Sequence, residues 1–258
     1  TLSLHDALPI LDYEIIRKNG ERLTLRQSFT LLKDSGDGII GFRGIVRDVS
    51  HLKKLERDRE ETLEKLRQAL ESTVHAMAMA VEARDPYTAG HQRRVADLAC
   101  AIAAEMGLEP DRINGLRMAS LIHDLGKISI PTEILTKPTK LTNIEFEIVK
   151  THAQAGYEIL KDIVFPWPIA RIVLEHHEKI DGSGYPRRLK GDALLPESKI
   201  LTVADTVEAM ASHRPYRPSL GLQDALEEIS RNRGILYDTD AVAACLKLFE
   251  EKRFAFAI

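Results

Sequence analysis

The chain has few cysteines, few aromatic residues and almost no excess of positive or negative charge. It has two cysteines, Cys100 and Cys245, 5% aromatic residues among 258, and a formal net charge of −3. Both cysteines lie in segments of helical apolar spacing, which favours buried reduced thiols over a disulfide. The near-neutral charge gives no electrostatic basis for binding DNA.

Long hydrophobic runs are absent as well. No stretch approaches the roughly 20 apolar residues that a membrane span requires, and no signal peptide is visible. We therefore expect a cytoplasmic chain, with any membrane segment of the full-length protein lying upstream.

The first ten residues do not resemble part of a natural protein. TLSLHDALPI resembles the translation of a sequencing-library adapter, so residues 1–10 are treated as an artefact and His5 and Asp6 receive no role. We expect the natural protein to begin further upstream.

Residues 11–50 have the pattern of antiparallel strands. Asn19-Gly20 separates two alternating runs and predicts a hairpin, and the turn sequence of residues 34–38 leads into a third strand. Three strands alone make a marginal unit. The pattern resembles the last strands of a PAS sensor domain, which implies a signal-transduction protein whose ligand-binding part lies mostly outside this chain.

Residues 51–83 predict a charged connecting helix. Apolar positions recur in steps of three and four, like a short heptad seam, at Leu63, Leu66, Leu70, Thr73 and Met77. One interpretation is a solvated connector packed on its own domain. The other is a parallel homodimer seam that carries a signal from sensor to effector. His51 and His75 lie here without candidate partners and receive no functional role.

Helix signals follow one another from residue 84 to the end. Thr88 is a candidate N-cap, Pro110 suits the first turn of a helix, and Thr142 with Glu145 forms a capping-box pattern. Further helical segments cover roughly 167–178, 197–212, 220–232 and 239–251. The sequence therefore predicts a mainly all-α chain, a helical bundle domain over 84–258 preceded by a short antiparallel β remnant.

Histidine and aspartate side chains recur in order along these helices, at His91, His123, Asp124, His152, His176, His177 and Asp205. Any one of them, taken alone, is more often a packing residue than a ligand. Together, imidazole and carboxylate suit iron, manganese or zinc, whereas calcium and magnesium prefer oxygen alone. Asp124 adjoins His123, so one carboxylate can bridge two ions. A pair of ions clamps a phosphoryl group and activates water, which indicates phosphate-ester hydrolysis.

Four motifs carry a family resemblance. HDLGKISIP at 123–131, HHEKIDGSGYP at 176–186, VADTVEAM at 203–210 and HRPYR at 213–217 resemble, in order and spacing, those of the HD-GYP family. This is a bacterial subset of the HD-domain metallohydrolases. The resemblance implies an HD-type helical fold and a metal-dependent phosphodiesterase that hydrolyses cyclic di-GMP to pGpG, with a second cut to GMP left open. It also implies a place in second-messenger signalling with two-component-like regulation.

The resemblance also implies a ligand set for two divalent ions, with iron or manganese favoured. One ion is assigned to His91, His123, Asp124 and Asp205. The second is assigned to Asp124, His152, His176 and His177, with Asp124 as the bridge. Tyr87 stands where some members have a glutamate that holds a third metal, which argues for two ions.

Catalytic and substrate roles follow from the same resemblance. Asp124 and Lys127 are the catalytic candidates, and Lys127 is expected to neutralise an oxygen of the scissile phosphate. Tyr185 is expected to stack on or hydrogen-bond to the substrate. Arg214 and Arg217 are expected to bind the second phosphate, since guanidinium matches phosphate oxygens.

Alternatives remain open on activity and partners. One is a slow cyclic di-GMP receptor that passes its state to a diguanylate cyclase or another signalling protein through the loop that contains Gly184-Tyr185-Pro186, the GYP loop. Another is hydrolysis of a different cyclic dinucleotide. His213 occupies a position where aspartate is common, and Ala153 one where proline is common. Neither is counted as a ligand.

Overall fold

A computed structural model of the chain describes residues 10–84, 90–212, 221–252 and 254–256. These residues divide into two compact units, the first ending at Ala69 and the second beginning at Leu70. The second unit contains all the predicted metal ligands.

The first unit contains a three-stranded sheet of order β1-β2-β3, with β1 at Leu11–Ile16, β2 at Arg22–Lys33 and β3 at Ile39–Asp48. Both pairings are antiparallel. The predicted hairpin at Asn19-Gly20 is confirmed: Gly20 has a φ of 85°, which favours glycine, and its amide donates to Arg17 O at 2.8 Å. In the next turn, Asp34 Oδ1 accepts from the amides of Gly36 and Gly38 at 2.9 Å.

Helix α1 covers Ser50–Glu82. Its last turns bury Val74, Ala78 and Val81, and Val74 and Val81 belong to the hydrophobic core of the second unit. The predicted seam residues Leu63, Leu66, Leu70, Thr73 and Met77 are exposed in the single chain.

The second unit is built from helices. They are α2 at His91–Glu105, α3 at Pro110–Leu121, α4 at Thr132–Leu135, α5 at Asn143–Leu160, α6 at Ile169–Glu175, α7 at Pro196–Ala211, α8 at Leu222–Arg231 and α9 at Thr239–Glu250. Short 3₁₀ helices occupy Leu125–Ser129 and Gly191–Ala193. The prediction of a mainly all-α HD-type fold is confirmed.

Two of the predicted helix starts are confirmed. Pro110 opens α3, and Thr142 caps α5 in a capping box with Glu145. Thr88 lies outside the described residues.

Helices α2 and α7 pack against each other at the centre of this unit. Val95, Leu98 and Ile102 on α2 are fully buried, as are Ile200 and Val203 on α7. Each such side chain contributes about 1.5–3 kcal/mol relative to an exposed one. This packing fixes the two helices that carry His91 and Asp205.

Cys100 and Cys245 are both free and buried, as expected. Burial raises the pKa of the Cys100 thiol to about 11 and that of Cys245 to about 12, so neither is a reactive thiolate. Among the described residues, no helix combines the length and apolarity that crossing a membrane requires.

Candidate metal centre

Five segments of the helical unit bring the predicted ligands to one place. His91 begins α2, His123-Asp124 joins α3 to the following 3₁₀ helix, and His152 lies in α5. His176 is the first residue after the end of α6 and is followed by His177. Asp205 lies in α7. Donor atoms in three overlapping groups lie within 4.8 Å of one another: His91, His123 and Asp205; His152, His176 and His177; His123, Asp124 and His176.

The first two groups define two halves of the centre. His91, His123 and Asp205 form the carboxylate half, and His152, His176 and His177 form the imidazole half. In the carboxylate half, Asp205 Oδ1 lies 3.2 Å from His91 Nε2 and 3.8 Å from His123 Nε2. The other Asp205 oxygen lies 3.9 Å from His177 Nδ1, so Asp205 also borders the imidazole half.

Asp124 lies between the halves. Its Oδ2 is 3.6 Å from His123 Nε2, and its Oδ1 is 3.5 Å from His152 Nε2. Lys127 Nζ contacts Oδ2 at 2.7 Å. Burial by itself raises the pKa of the Asp124 carboxyl, but electrostatic attraction, chiefly to the ammonium of Lys127, outweighs it and places the pKa well below the usual range. Asp124 is therefore an ionised carboxylate with one oxygen directed at each half.

Three of the histidines are oriented by backbone carbonyl groups that lie three residues earlier in the chain. The Nδ1 atoms of His123, His152 and His176 lie 2.7, 2.7 and 2.5 Å from the carbonyl oxygens of Ser120, Val149 and Val173. A carbonyl oxygen only accepts, so these partners assign the hydrogen to Nδ1. Each Nε2 then carries an unshared electron pair directed into the cluster.

The imidazole half fits a metal ion. His152 Nε2 and His176 Nε2 are 3.2 Å apart, and with both hydrogens on Nδ1 neither nitrogen donates to the other. Two nitrogens bound to one ion at ~2.1 Å and near a right angle would be ~3 Å apart. Burial lowers the pKa of His152 and lowers that of His176 to about 3, which keeps both rings neutral, as metal ligation requires.

His91 is held differently, because its Nδ1 contacts the carboxylate of Glu208 rather than a carbonyl. Burial lowers the pKa of His91, but the hydrogen bonds to Asp205 and Glu208 outweigh it and raise the pKa to about 9, so a divalent ion bound at Nε2 would displace a proton from that nitrogen. Glu208 and Arg94, which donates to it, were not predicted as site residues. The available signal was spacing: Arg94 follows His91 by three residues, and Glu208 follows Asp205 by three, so each pair shares a helix face.

The GYP loop borders the imidazole half. The ring of Tyr185 lies 4.8 Å from that of His177, measured between centroids. Burial raises the pKa of Tyr185 far enough to keep its hydroxyl neutral. The buried carboxylate of Glu178, also missed in the sequence, fixes the loop by accepting from the amides of Arg187 at 2.6 Å and Leu189 at 3.1 Å.

Two glycines allow close backbone approach. A Cβ on Gly126 would lie 1.9 Å from His152 O, so the turn after Asp124 packs directly on α5. A Cβ on Gly184 would lie 2.4 Å from the Cα of Glu178, which fixes the GYP loop against the residues after His177. Glycine at both positions therefore places ligands from separate segments side by side.

An open groove runs between α5 and the GYP loop. Its volume is about 560 Å³, within the usual range of small-molecule sites. The side chains that line it include Lys150, Gln154, Glu158, Ser183, Tyr185 and Arg188. Tyr185 thus separates this groove from the imidazole half.

Four sequence predictions fall outside the described residues: Tyr87, His213, Arg214 and Arg217. His51 and His75 are exposed, in keeping with the absence of a role for them.

The helical unit matches a known protein family. The family described as "HD domain" matches residues 75–241, well over half of the chain. The chain belongs to the HD-domain family, in agreement with the resemblance drawn from its motifs.

Two curated relatives share much of the sequence. A "Cyclic di-GMP phosphodiesterase" of Thermotoga maritima is 41% identical over 199 residues, covering 76% of this chain and 54% of that protein. A "3'3'-cGAMP-specific phosphodiesterase 3" of Vibrio cholerae is 39% identical over 179 residues, covering 69% of this chain and 39% of that protein. The chain thus spans about half or less of these relatives.

Among solved structures, an HDG"Y"P protein from Bdellovibrio bacteriovorus has a similar fold. The TM-score is 0.53 at 18% identity, over 62% of this chain and 51% of that one. At that identity the similarity supports the fold alone.

Proposed function

We propose that the chain hydrolyses the phosphodiester bonds of cyclic di-GMP at a centre of two divalent ions. The observation that carries the proposal is the position of Asp124, whose two carboxylate oxygens face a His91–His123–Asp205 group and a His152–His176–His177 group. The mixture of nitrogen and oxygen donors favours iron or manganese over magnesium or calcium.

Bound ions would supply a water nucleophile at neutral pH and neutralise charge on the phosphoryl group. The side chains of this chain would do the rest. Asp124 would bridge the two ions, and the ammonium of Lys127, 2.7 Å from Asp124, would lie at the edge of the cluster and offset added negative charge on phosphate. The neutral hydroxyl of Tyr185 would donate to the substrate beside His177.

The groove between α5 and the GYP loop is our candidate for the non-reacting part of the dinucleotide. Arg214 and Arg217 remain the predicted contacts of its second phosphate, since both follow Asp205 closely in sequence.

The test is an assay on the purified full chain, loaded anaerobically with Fe²⁺ or Mn²⁺ and supplied with cyclic di-GMP. We expect linear pGpG, followed by GMP. A folded, metal-loaded sample that forms no product would reject the enzyme. Tight binding of cyclic di-GMP with negligible turnover would instead identify the slow receptor.

A second substrate is favoured by one observation, the 39% identity to the relative named for 3'3'-cGAMP. A matched assay with cyclic di-GMP and 3'3'-cGAMP separates the two, and we expect the larger kcat/KM for cyclic di-GMP. The reverse order would transfer the proposal to the hybrid dinucleotide.

We further propose that α1 forms a parallel homodimer, because Leu63, Leu66 and Leu70 are exposed along one seam. Leu66→Glu should shift the sedimentation of the full chain from dimer to monomer, whereas Glu64→Gln, also on α1, should leave the dimer intact. A monomeric wild type would refute the seam.

The PAS origin of the strands also stays a prediction. The strands lie outside the region that matches the HD-domain family, because that region begins at residue 75.

The GYP loop is our proposed contact for a diguanylate cyclase or a similar signalling protein. Arg187 and Arg188 are exposed on it. Purified full chain with Arg188→Glu should bind an immobilised cyclase more weakly than wild type, and equal binding would exclude the loop.

A further inference from the structure

Glu208 is buried on α7 and contacts a predicted metal ligand from outside the cluster. Its carboxylate accepts from three donors: His91 Nδ1, Arg94 Nε at 2.6 Å and Ser212 Oγ at 2.6 Å. A buried carboxylate is costly unless it is paired and hydrogen-bonded. Arg94 supplies the counter-charge here, so Glu208 remains ionised beside the imidazole.

His91 needs such a partner because of its place in the fold. It is the first residue of α2, so no preceding turn of that helix offers a carbonyl oxygen to Nδ1. His123, His152 and His176 each have one three residues earlier. Without Glu208, the His91 ring would lose the hydrogen bond that selects its tautomer.

The two contacts of His91 come from one face of α7. Asp205 Oδ1 lies 3.2 Å from Nε2, and Glu208, one helical turn further on, contacts Nδ1. A carboxylate that accepts from the remote nitrogen of a histidine orients the ring and makes the other nitrogen a stronger donor to a metal. His91 thus has a carboxylate partner in the place where His123, His152 and His176 have carbonyl groups.

We propose that Glu208 is a positioning residue, held by Arg94 and Ser212, that sets the affinity of the carboxylate half for its divalent ion. The inference rests on the metal centre proposed above, and it is independent of the substrate. Loss of an outer partner of this kind costs about 10–100-fold in metal affinity.

The test measures the affinity of the full chain for Mn²⁺ by competition with a chromogenic chelator. It uses two variants, each of which keeps only one half of the metal centre intact. His152→Ala leaves the carboxylate half, and Asp205→Ala leaves the imidazole half. Adding Glu208→Gln to His152→Ala should weaken the remaining site about 10–100-fold. Adding it to Asp205→Ala should change the remaining affinity by less than about twofold.

Glu175→Gln is the matched control. Glu175 is also a buried glutamate beside a ligand, but it accepts from Arg171 Nε, Leu195 N and Ser198 Oγ. Its substitution should lower the melting temperature and leave both metal affinities within about twofold. Glu208→Asp, which keeps the charge but retracts it by one methylene, serves if Glu208→Gln does not fold, and it should weaken the same half.

The outcomes are distinguishable. Equal weakening of both halves, or a lower melting temperature with unchanged metal affinities, would overturn the role of Glu208 and leave the proposed function standing. A folded wild type that binds no Mn²⁺ would overturn the metal centre itself, and with it this inference.

Discussion

The two halves of the metal centre differ in one histidine: His91 is held by a carboxylate, whereas His123, also in the carboxylate half, has a backbone carbonyl partner like those of the imidazole half. In the imidazole half, His152 and His176 are oriented by carbonyl groups three residues earlier in the chain. In the carboxylate half, His91 is oriented by Glu208, which is 117 residues away in sequence.

The difference concerns how single rings are oriented, since both halves depend on tertiary packing. The imidazole half needs the local carbonyl partners of His152 and His176, the packing of α5 against α6 and the contact of Gly126 with α5. The carboxylate half forms only when α2 and α7 pack together, so it depends on the core of the helical unit. Asp124 joins the two, and damage to it should affect both.

The largest effect should therefore come from Asp124→Ala. We expect loss of both ions and a fall in kcat of more than about a thousandfold, because the bridging carboxylate and its transition-state role disappear together. Elemental analysis and the phosphodiesterase assay on one preparation provide the measurement. Full metal content in the folded variant would show that Asp124 is not a bridge.

Asp97→Ala is the control for that variant. Asp97 pairs with Arg117 at 3.0 Å on the surface, and such exposed pairs contribute little. Both metal content and kcat should remain at the wild-type level.

Single-half variants should have the next largest effect. His152→Ala and Asp205→Ala should each retain one ion of two and lose about 10²–10³-fold in kcat, because one side of the phosphoryl clamp is missing. Metal-to-protein ratios measure the first effect. If either variant loses both ions, the two halves do not bind their ions independently.

Metal removal should have a moderate effect on stability. An ion present at 1,000 times its dissociation constant stabilises the folded state by about 4 kcal/mol. For a unit of this size that shifts the melting temperature by roughly 10 °C. Chelation of wild type should lower the melting temperature by at least this amount, and chelation of either single-half variant should lower it less. Equal shifts in all three would contradict independent halves.

The smallest effect should come from the cap of α5. Thr142 Oγ1 accepts from the Glu145 amide at 3.3 Å, and Glu145 accepts in return from the Thr142 amide at 2.7 Å. Thr142→Ala should cost about 1 kcal/mol of unfolding free energy, measured by urea denaturation. Metal content should not change, since the Gly126 contact rather than the cap places His152. Metal loss in this variant would make the cap part of the imidazole half.

Much of this organisation was predictable from sequence. Helical periodicity, Pro110 and the Thr142–Glu145 pattern predicted helices correctly because these signals are local. The Asn19-Gly20 hairpin is local in the same sense. The histidine series was accessible because imidazoles are few and their order along the chain matches a known family.

What sequence did not provide was the support around the ligands. The pairing of Glu208 with His91 depends on how α2 and α7 pack, which no short pattern encodes. The need for glycine at 126 becomes visible only when a Cβ there meets His152 O. In the sequence, nothing distinguishes Glu178 from other charged residues. Its role becomes visible only in the structure, where its carboxylate accepts from the Arg187 amide and holds the GYP loop.

The most direct measurement of the central claim is anomalous X-ray scattering from crystals of the Mn²⁺-loaded full chain. We expect two peaks, one bound by His91, His123 and Asp205 and one by His152, His176 and His177, with one Asp124 oxygen bound to each. A single peak, or two peaks that share no Asp124 contact, would contradict it.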